Sequence, residues 1–256
     1  MSDVQKQRVV KDLPLTRLLP NMLTLFSLCS GLTAIRYALN EKWEQAVIAI
    51  VIAGVFDMLD GRVARMLNIA SKFGAELDSL SDAISFGVAP AFIMYEWQLN
   101  DVRGVGWIAV LVYVVCTALR LARFNTMLDS AAAPAWAKSY FTGVPAPGGA
   151  GLAITPLAYY LEFGDGAQVP PLLLALWLIL VGGLMVSRLP SFALKGWRVT
   201  PVWVAPIFVV VALMVAALVT NPWLTLSGVG TVYFLSLPCA WLVYYLRMRR
   251  ERMANG

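Results

Sequence analysis

The sequence predicts an all-α fold, a polytopic transmembrane helical bundle of about eight spans with both termini in the cytoplasm. Composition is the first observation behind this: of 256 residues, 59% are hydrophobic and only 14% charged, with a mean hydropathy of +0.71. A soluble domain carries about 25% charged residues, so this chain lacks the polar surface to coat a water-exposed globule. Run length is the second. The apolar stretches are ~20 residues long, enough to cross ~30 Å of hydrocarbon at ~1.5 Å per helical residue. The third is pattern: apolar and polar residues do not alternate, which excludes a β-barrel.

Residues 1–20 read as a cytoplasmic or interfacial segment. Lys6, Arg8, Lys11 and Arg17 deny it the continuous apolar core of a cleavable signal peptide, and its Pro14–Leu19 stretch suits the membrane surface. Spans are expected at 21–39, 43–66, 75–97, 104–125, 148–163, 170–188, 202–220 and 225–246, the fifth being short and rich in Gly and Pro. Residues 21–246 thus form a single transmembrane domain, and 247–256 a basic cytoplasmic tail. Eight spans leave only Arg36, Lys42 and Arg103 on one side, and the excess of Lys and Arg on the other marks the cytoplasm. Trp97, Trp107, Trp203 and Trp223 fall near span ends, where indole rings anchor at the interface. The connection from 126 to 147, with Phe141-Thr142-Gly143, is long enough to close over a site.

Charge and residue usage narrow the chemistry. The net charge of +5 suits anionic lipid headgroups and is too diffuse for nucleic acid. With no histidine, imidazole bases, ligands and proton relays are excluded. Cys29, Cys116 and Cys239 sit in apolar runs without metal-ligand spacing and read as buried packing.

Five of the fifteen acidic residues crowd the inner ends of spans two and three: Asp57, Asp60, Glu76, Asp78 and Asp82. Asp57 and Asp60 are i,i+3, and Asp78 and Asp82 are i,i+4, so each pair shares a helix face, and Glu76 points off it. Two antiparallel helices joined by a short turn then aim four carboxylates at one point. Such a cluster at membrane depth must line a wet cavity or bind cations. Oxygen donors without His or Cys select Mg²⁺, Mn²⁺ or Ca²⁺. Gly61 costs a helix about 1 kcal/mol against Ala, which implies a close neighbour. Arg65 offers a planar fork for phosphate. Ala75, Ser79, Ala83, Gly87 and Ala91 recur every fourth residue and read as a ridge for close helix approach.

The spacing D-x2-D-G-x2-A-R-x8-G-x3-D-x3-D, from Asp57 to Asp82, resembles the signature of the CDP-alcohol phosphatidyltransferase family. These are integral membrane enzymes that join an alcohol to a CDP-activated lipid, and all eight fixed positions are present. The resemblance implies a centre of two Mg²⁺ or Mn²⁺ ions on Asp57, Asp60, Asp78 and Asp82, with Asp82 also the general base. It implies that Gly61, Arg65, Ser71 and Gly74 hold the cytidine and diphosphate, that Asn21 and Thr24 line the same pocket, and that the enzyme is a homodimer. Four further stretches, Pro20–Thr24, Ser85–Ala91, Leu119–Asn125 and Phe141–Pro147, resemble the bacterial membrane-integral branch that uses serine. That likeness implies transfer of a phosphatidyl group from CDP-diacylglycerol to the hydroxyl of L-serine, with CMP as co-product. It also implies a bacterial cytoplasmic (inner) membrane location with the site facing the cytoplasm.

A serine acceptor needs its carboxylate and ammonium gripped. Arg120 and Arg123, i,i+3 at the inner end of span four, are candidates with Asn125 just beyond, and Arg188 is another. The same arginines suit a phosphate or the topology signal alone. Glycerol 3-phosphate, inositol or choline is the alternative acceptor. An ion-coupled transporter is the competing class, opposed by the absence of acid or base across the outer half and of any repeat. A lipid-binding scaffold is a third, and it needs no paired carboxylate faces.

Overall fold

A computed structural model describes residues 18–67, 71–128, 140–187, 189–192 and 203–254. Each expected span is a helical rod. They are α1 (Leu19–Ala38), α2 (Trp43–Met66), a rod built of α3 (Lys72–Asp82), a π-helical turn (Ala83–Val88) and α4 (Ala89–Trp97), then α5 (Arg103–Leu128), α6 (Ala146–Phe163), α7 (Pro171–Val186), α8 (Val204–Thr220) and α9 (Pro222–Ala254). Lys72–Trp97, Leu99–Thr126 and Pro222–Val243 are long and apolar enough to cross a membrane, and α7 and α8 are shorter apolar helices. The protein is an integral membrane protein. The N-terminal segment through residue 17 and Arg188 lie outside the described residues.

Prolines open several of these helices, in the first turn of α1, α4, α6 and α7. A first-turn N–H has no acceptor within the helix, so its absence is harmless there. Inside a bilayer, helices gain little from hydrophobicity, and small residues that bring backbones together take over. The α1–α2 seam follows that rule. Thr24, Ser27, Gly31, Ala34 and Ala38 are buried along α1, and Ala46, Ala49 and Ala53 along α2. Ser27 Oγ donates to Ala53 O across the seam at 3.0 Å.

The third rod closes on α1 just as tightly. Ser81 Oγ donates to Thr24 O at 3.1 Å and Ser85 Oγ to Ser27 O at 3.1 Å. A Cβ on Gly31 would stand 2.5 Å from Ser85 Oγ and 2.7 Å from Ser85 Cα. Gly31→Ala must therefore push the rods apart, an overpacking loss of about 1–3 kcal/mol. Thermal unfolding in detergent should show a lower midpoint, and an unchanged midpoint would contradict this close approach.

Several expectations need correction. The all-α class holds among the described residues, with the addition of one pairing of three-residue strands, β1 (Tyr140–Thr142) antiparallel to β2 (Pro190–Phe192), with Phe141 opposite Ser191. Gly143 makes the turn out of β1 at φ +80°, where a side chain would meet Met185 O and Ser187 O. Gly143 N donates to Leu189 O at 2.8 Å and Val144 N to Leu184 O at 3.3 Å. The Phe141–Gly143 end of the long connection is thus fastened to the end of α7, while residues 129–139 are outside the described set.

The small-residue ridge is broken as well. Gly87 and Ala91 are buried, but Ala75 is exposed and Ser79 and Ala83 only half-buried. The π-helical turn inserts a residue and shifts the helix face by ~100°, so Ser81 and Ser85 meet α1 instead. Cys29 and Cys239 are exposed rather than buried. No residue of α8 is buried.

Candidate active site

The C-terminal parts of α2 and α3 carry the clustered aspartates. Ser71 starts α3 in an extended conformation, its hydroxyl accepting from Gly74 N at 3.0 Å. This N-cap satisfies one of the first-turn donors and fixes where the helix begins, hence where Asp78 points. Carboxylate oxygens of Asp57, Asp60 and Asp78 all lie within 4.8 Å of one another. Asp82, one turn further along, brings its carboxylate into hydrogen-bonding contact with that of Asp57. Its Oδ1 is buried and has no hydrogen-bond partner among the described residues. Glu76 is exposed, off this face as expected.

Four carboxylates at this spacing repel one another unless cations join them. An orphaned buried oxygen on Asp82 and an all-oxygen donor set fit a hard divalent centre. Asp60 is the most enclosed of the four, with only 5% exposure, while Asp57, Asp78 and Asp82 are half-buried. Thr24 Oγ1 donates to Asp60 Oδ2 at 2.6 Å, and the same hydroxyl lies 3.0 Å from Pro20 O. One proton is therefore shared between two acceptors, and α1 orients the carboxylate. Thr24 both lines the neighbouring cleft and aims Asp60.

That cleft has a volume of ≈ 180 Å³ and is lined by Asn21, Thr24, Asp60, Gly61, Ser71, Gly74 and Asp78, together with small apolar residues. It gathers five of the six residues expected to hold the CDP moiety beside two of the carboxylates. Gly74 is needed there because a Cβ would come 3.1 Å from both Asn21 Oδ1 and Ser71 Oγ. Arg65 is the sixth: it is exposed, and its Nη2 lies 3.9 Å from where a Gly61 Cβ would stand.

The candidates on α5 separate. Arg120 lies close enough to Asp82 and Asp57 to interact electrostatically with both, and its Nε is buried without a partner among the described residues. Arg123 Nη1 instead donates to Val186 O at 3.2 Å, capping the end of α7. Asn125 is engaged with Ser79 on α3, Nδ2 donating to Ser79 Oγ at 2.9 Å. Sequence reasoning missed Ser81, Ser85 and Tyr113; the serines' i,i+4 spacing in an apolar run was the available signal. Tyr113 gave none.

A helical bundle that gathers four aspartates beside a small cleft, with Arg120 of α5 near two of them, has the donor set of a membrane enzyme assisted by divalent cations. Residues 17–187 match the family model described as CDP-alcohol phosphatidyltransferase, and residues 202–238 match that of CDP-alcohol phosphatidyltransferase 2. The chain belongs to the CDP-alcohol phosphatidyltransferase family. It is 41% identical over 224 residues, 88% of this chain and 74% of the relative, to a protein of Mycobacterium leprae named CDP-diacylglycerol–serine O-phosphatidyltransferase. Proteins of the same name from Helicobacter pylori and Bacillus subtilis are 31% and 33% identical. The first match covers 90% of this chain and 94% of that protein, the second 67% and 88%.

Proposed function

We propose that the protein is a CDP-diacylglycerol–serine O-phosphatidyltransferase, transferring the phosphatidyl group of CDP-diacylglycerol to the hydroxyl of L-serine and releasing CMP. The observation that carries this reading is the convergence of Asp57, Asp60 and Asp78, with Asp82 against Asp57, beside the Asn21–Gly74 cleft. The choice of serine is supported by the relatives' names and by Arg120 of α5, which lies near Asp82 and Asp57 with its Nε unpartnered among the described residues.

The four aspartates hold two Mg²⁺ or Mn²⁺ ions, which when bound offset the charge of the diphosphate. Gly61, Ser71, Gly74 and Asn21 give the cleft its room and its polar lining for the cytidine and diphosphate, with Arg65 at the mouth. Asp82 takes the proton of the serine hydroxyl. The serine oxygen bonds to the phosphorus that carries diacylglycerol, the bond from that phosphorus to CMP breaks, and CMP leaves. A carboxylate is a weak base for a hydroxyl, so proton transfer is late, when the oxygen is already bonding to phosphorus. Arg120 pairs with the serine carboxylate, while Arg123 and Asn125 hold α7 and α3 in place.

This enzyme crosses the bacterial cytoplasmic membrane eight times, with both termini and the site on the cytoplasmic side. Residues 21–246 form its single catalytic domain, and it works as a homodimer among membrane lipids, without nucleic acid. The 17 Lys and Arg that the eight-span arrangement puts on one face support the orientation.

Purified protein in detergent, given CDP-diacylglycerol with Mg²⁺ or Mn²⁺, should release CMP with L-serine and not with glycerol 3-phosphate, inositol or choline. EDTA should stop it. Release with another of these alcohols would replace the acceptor and leave the carboxylate centre standing.

A further inference from the structure

Asp82 stands at the junction of α3 and the π-helical turn. Its carboxylate meets that of Asp57, but no described group hydrogen-bonds its Oδ1, so the backbone beneath it sets much of where that carboxylate points. This backbone departs from a regular helix. Ala89 N–H reaches back to Ile84 O, five residues away rather than four. Pro90 follows, and it has no N–H to give the Phe86 carbonyl four residues back, which its ring would also crowd in an unbroken α-helix.

The displaced carbonyl is met from α5. Tyr113, fully buried, donates its hydroxyl to Phe86 O at 2.9 Å. Thr117, one turn along, lies against Gly87, where a Cβ would come 3.1 Å from Thr117 Cγ2. Arg120, a further turn along the same face, reaches the field of Asp82. A single stripe of α5 therefore accompanies the third rod from its π-helical turn to its carboxylates. Beyond the turn, Ala89, Pro90, Ala91, Ile93 and Met94 are locked in the core. If the turn relaxed to α-helix, the faces on its two sides would rotate against each other by ~100°. With α4 locked, the Asp78 and Asp82 side has to move.

We propose that Tyr113 is a positioning residue for phosphatidyl transfer: its hydroxyl holds the π-helical turn that aims Asp82. π-Helical turns recur at functional sites for this reason, since they re-aim side chains that a regular helix would misdirect. The inference rests on the reading of Asp82 as the base.

Tyr113→Phe keeps the ring and deletes the donor. The expected result is a kcat lowered at least ~10-fold, worth about 1.4 kcal/mol of barrier. The KM for CDP-diacylglycerol should stay within about twofold, because the cleft is built from α1, α2 and the start of α3. A wild-type kcat overturns the proposal. So does a parallel loss of kcat, KM and thermal midpoint, which is general loosening.

Pro90→Ala supplies the missing N–H and gives the Phe86 carbonyl a partner within its own helix. That variant should fold at least as stably yet lose kcat by a factor of at least ~10, and adding Tyr113→Phe to it should change little more. A Pro90→Ala enzyme with wild-type kcat overturns the proposal even if Tyr113→Phe does not fold. Asp82→Asn run alongside separates the two readings. Turnover by Asp82→Asn would sink the base and the positioning role with it; an inactive Asp82→Asn beside a fully active Tyr113→Phe would sink the positioning role alone.

Discussion

Asp82→Asn should leave a folded protein that binds CDP-diacylglycerol and scarcely turns it over. The substitution is nearly isosteric, and Oδ1 has no hydrogen-bond partner among the described residues to lose. It also relieves repulsion. An amide N–H can donate to the Asp57 carboxylate that Asp82 now contacts, and a cluster of four carboxylates loses one charge. Stability in metal-free buffer should therefore hold or rise. What disappears is the proton acceptor for the attacking hydroxyl, typically worth ~10²–10⁴ in rate. CMP release should fall by about that factor or more, because Asp82 is also proposed to be a cation ligand. The separation of effects is the test: unchanged CDP-lipid affinity, an unchanged or higher thermal midpoint, and no measurable product. Turnover within about tenfold of wild type would remove Asp82 from the base role.

The carboxylate centre was legible in the sequence because it depends on short-range geometry. Residues at i,i+3 and i,i+4 share a helix face whatever else the chain does, so Asp57 with Asp60 and Asp78 with Asp82 had to project in pairs. Only the turn between the helices was needed to bring the pairs together. The cleft followed from the same segment, since Gly61, Ser71 and Gly74 lie inside it and Asn21 and Thr24 open the preceding helix.

The losses came where a local pattern is overruled by a distant partner. The every-fourth-residue ridge assumed one uninterrupted helix from Ala75 to Ala91, and the π-helical turn ended that phase at Ala83. Pro90 could be read as a helix disturbance, but which carbonyl it frees matters only once Tyr113 on α5 is seen to meet it. Arg123 and Asn125 are candidate serine ligands in the sequence, where basic and polar residues at a span end carry several meanings. Only the fold reveals that they also bond Val186 O and Ser79. The strand pairing of Tyr140–Thr142 with Pro190–Phe192 joins segments some fifty residues apart, and no periodicity announces it.

The second large effect concerns the cations. In metal-free protein, Asp57, Asp60 and Asp78 bring oxygens within 4.8 Å of one another with Arg120 as the nearby balancing charge, so repulsion is built into the folded state. A ligand that binds only the folded protein stabilises it by about 2.7 kcal/mol at a hundred times its dissociation constant. For a chain of this size that corresponds to a rise of roughly 5–10 °C in thermal midpoint. Mg²⁺ or Mn²⁺ should produce such a rise in wild-type protein, and EDTA should reverse it. Asp78→Asn removes one ligand and one repelling charge together. That variant should therefore begin with a higher midpoint in EDTA, gain much less from divalent ions, and release CMP at least ~10²-fold more slowly. The opposed movements of stability and activity are what a cation centre demands, since the same charge that burdens the empty fold holds the ions during transfer. A variant that kept the full cation-dependent rise would show that the ions bind elsewhere, and the aspartates would then need another reason to face one another.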